Sequence, residues 1–401
     1  MLLFSNVCKK KSMKVQEEKI YNYALSRIFA YEPLQARQLI EKTGGAAALF
    51  GLDHEGLETL LGPYHKLLPQ LKNPGFESFA RELEDICSKG FRYLCHYEAA
   101  FPTLLNQCED SPLGLFIQSE STDAQIFSRE LTAIVGTRDM SPYGAEWCGR
   151  IVHALSECKG KHSIVSGLAY GVDITAQTQA LECGLPTIAV LGTGIGNIYP
   201  SAHNLYAEKI VRSPGSAIIS EYPPVASVSN INFLRRNRII AGLCGSTILI
   251  ESRIKGGGMS TARLAASYNR NVYALPGRNE DTRSQGCNLL IHSNIAEAII
   301  GCGELLKSMG LKKSGKGSMG GPGRKSQSVR EFYDGCMDRS GIVLCTTLYE
   351  YIRQHRGCSI EDAAADTGIE FRKALSIAHM LENDGFIDID LLQNCMVKRG
   401  A

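Results

Sequence analysis

The 401-residue chain has no Cys-x-x-Cys pair; its 14 cysteines are scattered, and the nearest two, Cys87 and Cys95, stand eight apart. Structural metal sites need ligands at short spacing, so no metal is expected and the cysteines read as small buried hydrophobes. No apolar run approaches the length that crosses a bilayer, and Met1-Leu2-Leu3-Phe4 is too short for a secretory apolar segment. A cytoplasmic protein with no membrane contact is expected. Strong charge of one sign is also missing: 43 basic and 41 acidic residues leave a net +2. Any site for a polyanion must therefore be local.

Catalytic groupings are scarce as well. Ser166 lies in Val-Ser-Gly and not in the G-x-S-x-G turn of a nucleophile elbow. His153, His162 and His203 have no partners at meaningful spacing. Gly192-Thr193-Gly194-Ile195-Gly196 departs from the G-x-G-x-x-G fingerprint of dinucleotide sites and follows a third strand instead of a first. A tight strand-to-helix turn explains its glycines. No cofactor and no bond-breaking machinery are expected.

What is present is a regular alternation. Apolar, β-branched runs at 131–135, 162–166, 187–191, 216–220, 246–250 and 272–275 are separated by helical patterns near 143–158, 172–183, 202–212, 234–243 and 259–270. Strands alternating with helices of this length give an α/β fold with a mostly parallel sheet, whose ligand lies at the carboxyl ends of the strands. Residues 131–300 carry 15 basic and 11 acidic side chains, against 14 and 17 in residues 1–130.

The flanks differ. Residues 1–19 read as a loose charged leader, and 20–85 as a small helical domain with Gly44-Gly45 closing one helix. A helix-hairpin-helix module would need glycine in its hairpin, but the turn here is Ala30-Tyr31-Glu32-Pro33; packing is the expected role. Residues 86–306 form the sheet domain, with short adaptor strands between Phe91 and Gln118. Residues 307–335 read as a flexible basic linker, and 307–330 hold seven Lys/Arg and no acid. In 336–401, three helical patterns followed by two short strands suggest a winged helix. Its third helix sets Arg372 and Lys373 against Glu370 and Glu382, a poor groove reader.

The candidate site gathers on the carboxyl rim. Gly136, Thr137 and Arg138 follow the first strand, and Ser166 and Gly167 end the second. Small residues leading into helix N-termini present N–H groups to anions, and Arg138 adds a guanidinium unless Asp139 or Asp173 neutralises it. Arg235, Arg236 and Arg238, with Asn237 between them, would repel one another without nearby anions or carboxylates. Glu251 is expected to neutralise one and leave two for phosphate. Phe233 offers a stacking face, and Lys255 with Gly257 and Gly258 a loop loose enough for a backbone to approach.

These blocks in order, with Phe101-Pro102-Thr103-Leu104-Leu105, Ile219-Ser220-Glu221-Tyr222-Pro223 and Ala274-Leu275-Pro276-Gly277-Arg278, resemble the DNA-processing protein A (DprA/Smf) family of bacterial recombination mediators. The resemblance implies an extended Rossmann-like fold with a helical N-terminal and a winged-helix-like C-terminal domain. It implies a homodimer that binds single-stranded DNA and loads RecA onto strands coated by single-strand binding protein during natural transformation. Arg138 and Arg236-Asn237-Arg238 match the family's phosphate-binding positions. Gln177, Leu234, Gly258 and Asn230 stand where the family usually, or in some members, has His, Pro, Ser and Lys. The alternative is a nucleotide sensor or phosphoribohydrolase-like enzyme on the same fold. Gly257-Gly258-Met259-Ser260-Thr261 is similar to that class's loop, but Leu264 occupies the place of its catalytic glutamate, and leucine moves no proton.

Overall fold

The computed structural model describes residues 17–312, 329, 333, 339–355, 357–383, 386–390 and 394–397. Two compact units divide between Ser314 and Gly315.

The first unit is built on nine strands: β1 (Arg92–Cys95), β2 (Gly114–Gln118), β3 (Glu130–Val135), β4 (His162–Ser166), β5 (Thr187–Val190), β6 (Ala217–Ser220), β7 (Ser246–Leu249), β8 (Asn271–Ala274) and β9 (Glu297–Ala298). Their order is β1-β2-β6-β5-β4-β3-β7-β8-β9. From β6 through to β9 every neighbour pairs in parallel, whereas β1 and β2 join antiparallel at one edge. The six expected strands are β3 to β8, and the adaptor residues supply β1 and β2.

Alternation along β3 sends Ala133 and Val135 to one face and Ile134 to the other, and all three are buried. Helices α1 (Pro142–Ser156) and α2 (Val172–Glu182) cover the Ile134 face with Ile151, Val152, Val172 and Ala176. Helices α3 (Asn230–Leu243) and α4 (Gly257–Ser267) cover the opposite face with Ile239, Ile240, Leu243, Met259 and Ala262. Strands covered on both faces need apolar residues at nearly every position, which is why their runs stood out without alternation. The chain moves from β3 outward to β6 and then returns to lay β7 on the other side of β3. That reversal opens a crevice at the carboxyl ends of β3 and β7, where such sheets bind ligands.

The N-terminal helices seat directly on β1 and β2. Residues 1–16 of the expected leader lie outside the described residues, but 17–19 open a helix over 17–28. Lys19 pairs with Glu98 at 3.0 Å and donates to the Tyr93 carbonyl. Tyr23, fully buried, meets the rings of Tyr93 and Phe116 at 5.5 and 5.9 Å. Gly44, at φ 84°, closes the helix Pro33–Thr43 as its spacing suggested. Of the basic linker, Lys307 and Ser308 end the helix Cys302–Ser308, and 313–328, 330–332 and 334–335 lie outside the described residues.

In the second unit, helices Arg339–Gln354, Ile360–Thr367 and Phe371–Asn383 accompany a small antiparallel sheet. Ser359 caps its helix by accepting from the Asp362 N–H at 3.0 Å, and Gly368 ends it at φ 68°. Strand Asn394–Val397 pairs with Ile387–Ile389, as expected, and also with Cys358–Ser359, which was not.

Candidate nucleic-acid interface

The crevice holds a cavity of about 620 Å³. Nine of the expected site residues line it: Gly136, Thr137, Arg138, Phe233, Arg236, Asn237, Lys255, Gly257 and Gly258. Glycine is required where β3 meets α4. A Cβ on Gly258 would lie 3.1 Å from the Gly136 Cα, and one on Gly136 would lie 2.8 Å from the Glu251 carbonyl. The Thr137 N–H donates to that carbonyl at 2.7 Å, and the Thr137 carbonyl accepts from Val172 N–H. The turn carrying Arg138 is thus pinned between β7 and α2.

Arg138 is exposed, and its guanidinium makes no hydrogen bond or ion pair with any described residue. Its two expected neutralisers are engaged elsewhere. Asp139 pairs with Arg283 at 3.2 Å and Arg253 at 3.7 Å. Asp173 accepts from Gly167 N–H at 3.1 Å deep in the cavity wall. Burial pushes the Asp173 carboxyl above the usual carboxylate range, with the charge of Arg236 opposing the rise. Lys255 is likewise exposed and unpaired among the described residues.

The arginine cluster differs from the expectation. All three arginines lie within α3, and 100° per residue sends them in three directions. Arg235 reaches back to the N-terminal turn, pairing with Glu32 at 2.5 Å and donating to the Ala30 carbonyl. Arg236 is buried and donates to the carbonyls of Gly167, at 2.9 Å, and Val190. Burial pushes its pKa down. Arg238 donates from Nη2 to both carboxylate oxygens of Glu221 and from Nη1 to the Asp110 carbonyl at 2.6 Å. Burial disfavours its charge, but Glu221 and Asp110 outweigh that and hold the guanidinium above its ordinary range. Glu251 neutralises none of them. It is turned toward α1, accepting from the Ser141 N–H at 2.9 Å and hydroxyl at 2.5 Å. Mutual repulsion is relieved by separate internal partners, so the proposed pair of free arginines on α3 is absent.

Ser166 and Gly167 lie beneath Arg236 and not on the cavity wall. The Ser166 hydroxyl donates to the Ile134 carbonyl at 2.7 Å. The following Leu168 has φ 56°, and its turn is held by Gln177, which accepts from Leu168 N–H at 3.0 Å, and by His203, which donates to the Leu168 carbonyl. Gln177 therefore positions the turn. The glycines at 192 and 194 are used by packing: a Cβ on Gly192 would lie 2.6 Å from the Phe233 ring, and one on Gly194 2.3 Å from the Pro223 carbonyl. Phe233 is half-buried and tilted against Tyr199 at 5.4 Å, leaving one aromatic flank on the cavity.

The lining also takes in Asn230, Leu234 and Arg253, which were not among the expected site residues. Ser229 caps α3 and so puts Asn230 in its first turn, a signal the sequence carried.

Comparison with known proteins adds the ancestry. A family model described as DNA recombination-mediator protein A matches residues 92–310. Protein Smf of Synechocystis is 34% identical over 264 residues, covering 65% of this chain and 62% of that protein. DNA processing protein DprA of Streptococcus pneumoniae is 36% identical over 191 residues, covering 48% and 65%. The matches thus span less than two thirds of these relatives' length. The X-ray structure of DprA from Streptococcus pneumoniae superposes with a TM-score of 0.53 at 28% identity, over 65% of this chain and 92% of that one. The matched segment contains the whole sheet and every residue of the crevice, and on that extent the chain belongs to the DNA recombination-mediator protein A family.

Proposed function

We propose that the chain binds single-stranded DNA along the carboxyl rim and acts as a recombination mediator, delivering RecA to strands coated by single-strand binding protein during DNA uptake. The reading makes it a cytoplasmic binding protein and homodimer, without catalytic chemistry of its own. The observation that carries it is the exposed, unpaired guanidinium of Arg138, set beside a pinned backbone turn at the mouth of a cavity flanked by Lys255 and Phe233. A phosphate takes the fork of Arg138, and an unstacked base lies against the aromatic flank. Arg236 and Arg238 act from below, shaping the rim; Gly136, Thr137, Asn237, Gly257 and Gly258 let the backbone approach. As a mechanism of grip this is largely sequence-blind and salt-sensitive.

Gel shifts of single-stranded and duplex oligonucleotides across a salt series test it. Single strands are expected to bind more tightly. Arg138→Ala should weaken that binding roughly tenfold at moderate salt, the scale of one charge-assisted contact, and lower the salt slope by about 0.7. Equal affinity of a folded Arg138→Ala variant would remove the site from the reading. Base release from nucleoside monophosphates would favour the phosphoribohydrolase-like alternative instead, although Leu264, partly buried against the core, gives that chemistry no base.

A further inference from the structure

Beyond the crevice lies a second hollow of about 460 Å³, lined by Leu234, Ile254, Lys255, Gly256, Gly257 and, further along α4, Arg263. It shares Leu234, Lys255, Gly256 and Gly257 with the first cavity, so the two are continuous. From these features we infer that the hollow is a second subsite for the same DNA strand, with Arg263 as a phosphate contact. The inference rests on the single-strand reading above and extends it to residues outside the rim.

Three features point to a polynucleotide as the occupant. Lys255 and Arg263 are exposed, and neither makes a hydrogen bond or ion pair with a described residue. Among the described residues no carboxylate lines the hollow, whereas Asp139 and Asp173 line the first cavity. Two uncompensated cations on an acid-free surface fit an anion better than a neutral or cationic protein segment. Leu234 and Ile254 are 58% and 46% exposed, and aliphatic surface of this kind is a flat rest for the face of an unpaired base. Geometry supplies the length. From Gly257 to Arg263 is six residues of helix, roughly 9 Å of rise at 1.5 Å each. That matches two to three stacked nucleotides at about 3.4 Å per step. A strand leaving the crevice past Leu234 would therefore meet Arg263 after a short further run.

The test is fluorescence anisotropy with oligo-dT of increasing length, using the full chain and its Arg138→Ala, Arg263→Ala, Arg263→Glu and Arg263→Lys variants, with thermal midpoints to check folding. Arg263→Ala is expected to weaken binding about fivefold for longer oligonucleotides and to leave the shortest that fill the crevice unchanged. Its salt slope on long strands should fall by about 0.7. Arg263→Glu should lose more, and Arg263→Lys should retain most of the affinity. Equal affinity of Arg263→Ala and the parent at every length, with Arg138→Ala still impaired, overturns the second subsite and leaves the crevice reading intact. A uniform loss at all lengths overturns it too, because the hollow would then not be a distal station. An altered oligomeric state with unchanged DNA affinity would assign the hollow to a second copy of the chain and overturn the inference. Failure of the parent to bind any single strand removes both readings together.

Discussion

Arg238 and Glu221 meet as a buried ion pair in which Nη2 reaches both carboxylate oxygens, at 2.7 and 2.5 Å, with side chains only 8% and 4% exposed. The pair ties α3 to the end of β6, and the bond from Arg238 to the Asp110 carbonyl extends the tie to the adaptor loop. Such a pair gains little over apolar side chains of equal volume, but breaking it strands a buried charge. Arg238→Ala is therefore expected to cost about 3–5 kcal/mol, read from urea midpoints. Replacing both residues together, Arg238→Met with Glu221→Leu, should recover most of that loss. A full-strength cost in the double variant would show that packing, and not the stranded carboxylate, sets the penalty.

Glu32 makes the opposite kind of pair. It is 68% exposed on its side chain and holds Arg235 at 2.5 Å from a turn whose Ala30 and Tyr31 take φ 50° and 60°. Tyr31 anchors that turn on Tyr222, with ring centres 4.9 Å apart. A carboxylate here occupies an arginine that a phosphate could otherwise use. An exposed ion pair contributes at most about 1 kcal/mol, so Glu32→Ala should leave thermal stability nearly unchanged. Freeing Arg235 should raise single-strand affinity up to about fivefold and steepen the salt dependence. If affinity falls or stays level in a folded variant, Arg235 serves the turn and not the strand.

Much of this was legible in the residues, and the gaps have a common cause. Strands β3 to β8 were readable because burial on both faces forces unbroken apolar runs, and their small terminal residues placed the rim. The pairing of Arg238 with Glu221, and not with Glu251, was not readable. It depends on the rotational phase of α3 against the sheet and the adaptor loop, which the residues of the helix do not set by themselves. The docking of residues 30–32 on the rim was hidden for another reason. It is a contact over some 200 residues of separation, and nothing local in Ala30-Tyr31-Glu32-Pro33 announces its partner. The strand-end pattern that located Ser166 and Gly167 was sound as chemistry, yet a buried guanidinium fills the space that backbone donors were expected to offer.

That arrangement makes Gly167 a sensitive position. A Cβ there would lie 2.4 Å from Arg236 Nη1 and 2.6 Å from its Cζ. The guanidinium cannot simply swing away, because it is buried and bonded to the Gly167 and Val190 carbonyls. Gly167→Ala should therefore cost about 1–3 kcal/mol as an overpacking change. In an Arg236→Ala background the same substitution should cost much less, since the clashing atoms are gone. Equal costs in the two backgrounds, measured as a double-mutant cycle by urea unfolding, would locate the strain in the backbone instead of the arginine.

His96 adds a pH dependence of defined sign. It follows β1, half-buried, and donates from Nε2 to Asn22 Oδ1 at 3.1 Å across to the first helix. Burial, reinforced by the Arg37 charge, pushes its pKa down from 6.5 to about 4. Below pH 6.5 the unfolded chain takes up a proton that the folded chain refuses until about pH 4. The unfolded state thus binds more protons across that window, and stability rises with pH through it. Between pH 7 and pH 4 the histidine alone should remove up to about 3 kcal/mol. Carboxylates titrate over part of the same range, so the decisive quantity is the difference between the parent and His96→Gln, whose amide can keep the bond to Asn22 without taking a proton. Urea midpoints should diverge as pH falls from 6.5, with the glutamine variant losing less. Parallel profiles would mean that the imidazole is protonated in the folded chain, and that the Asn22 contact accommodates the charge.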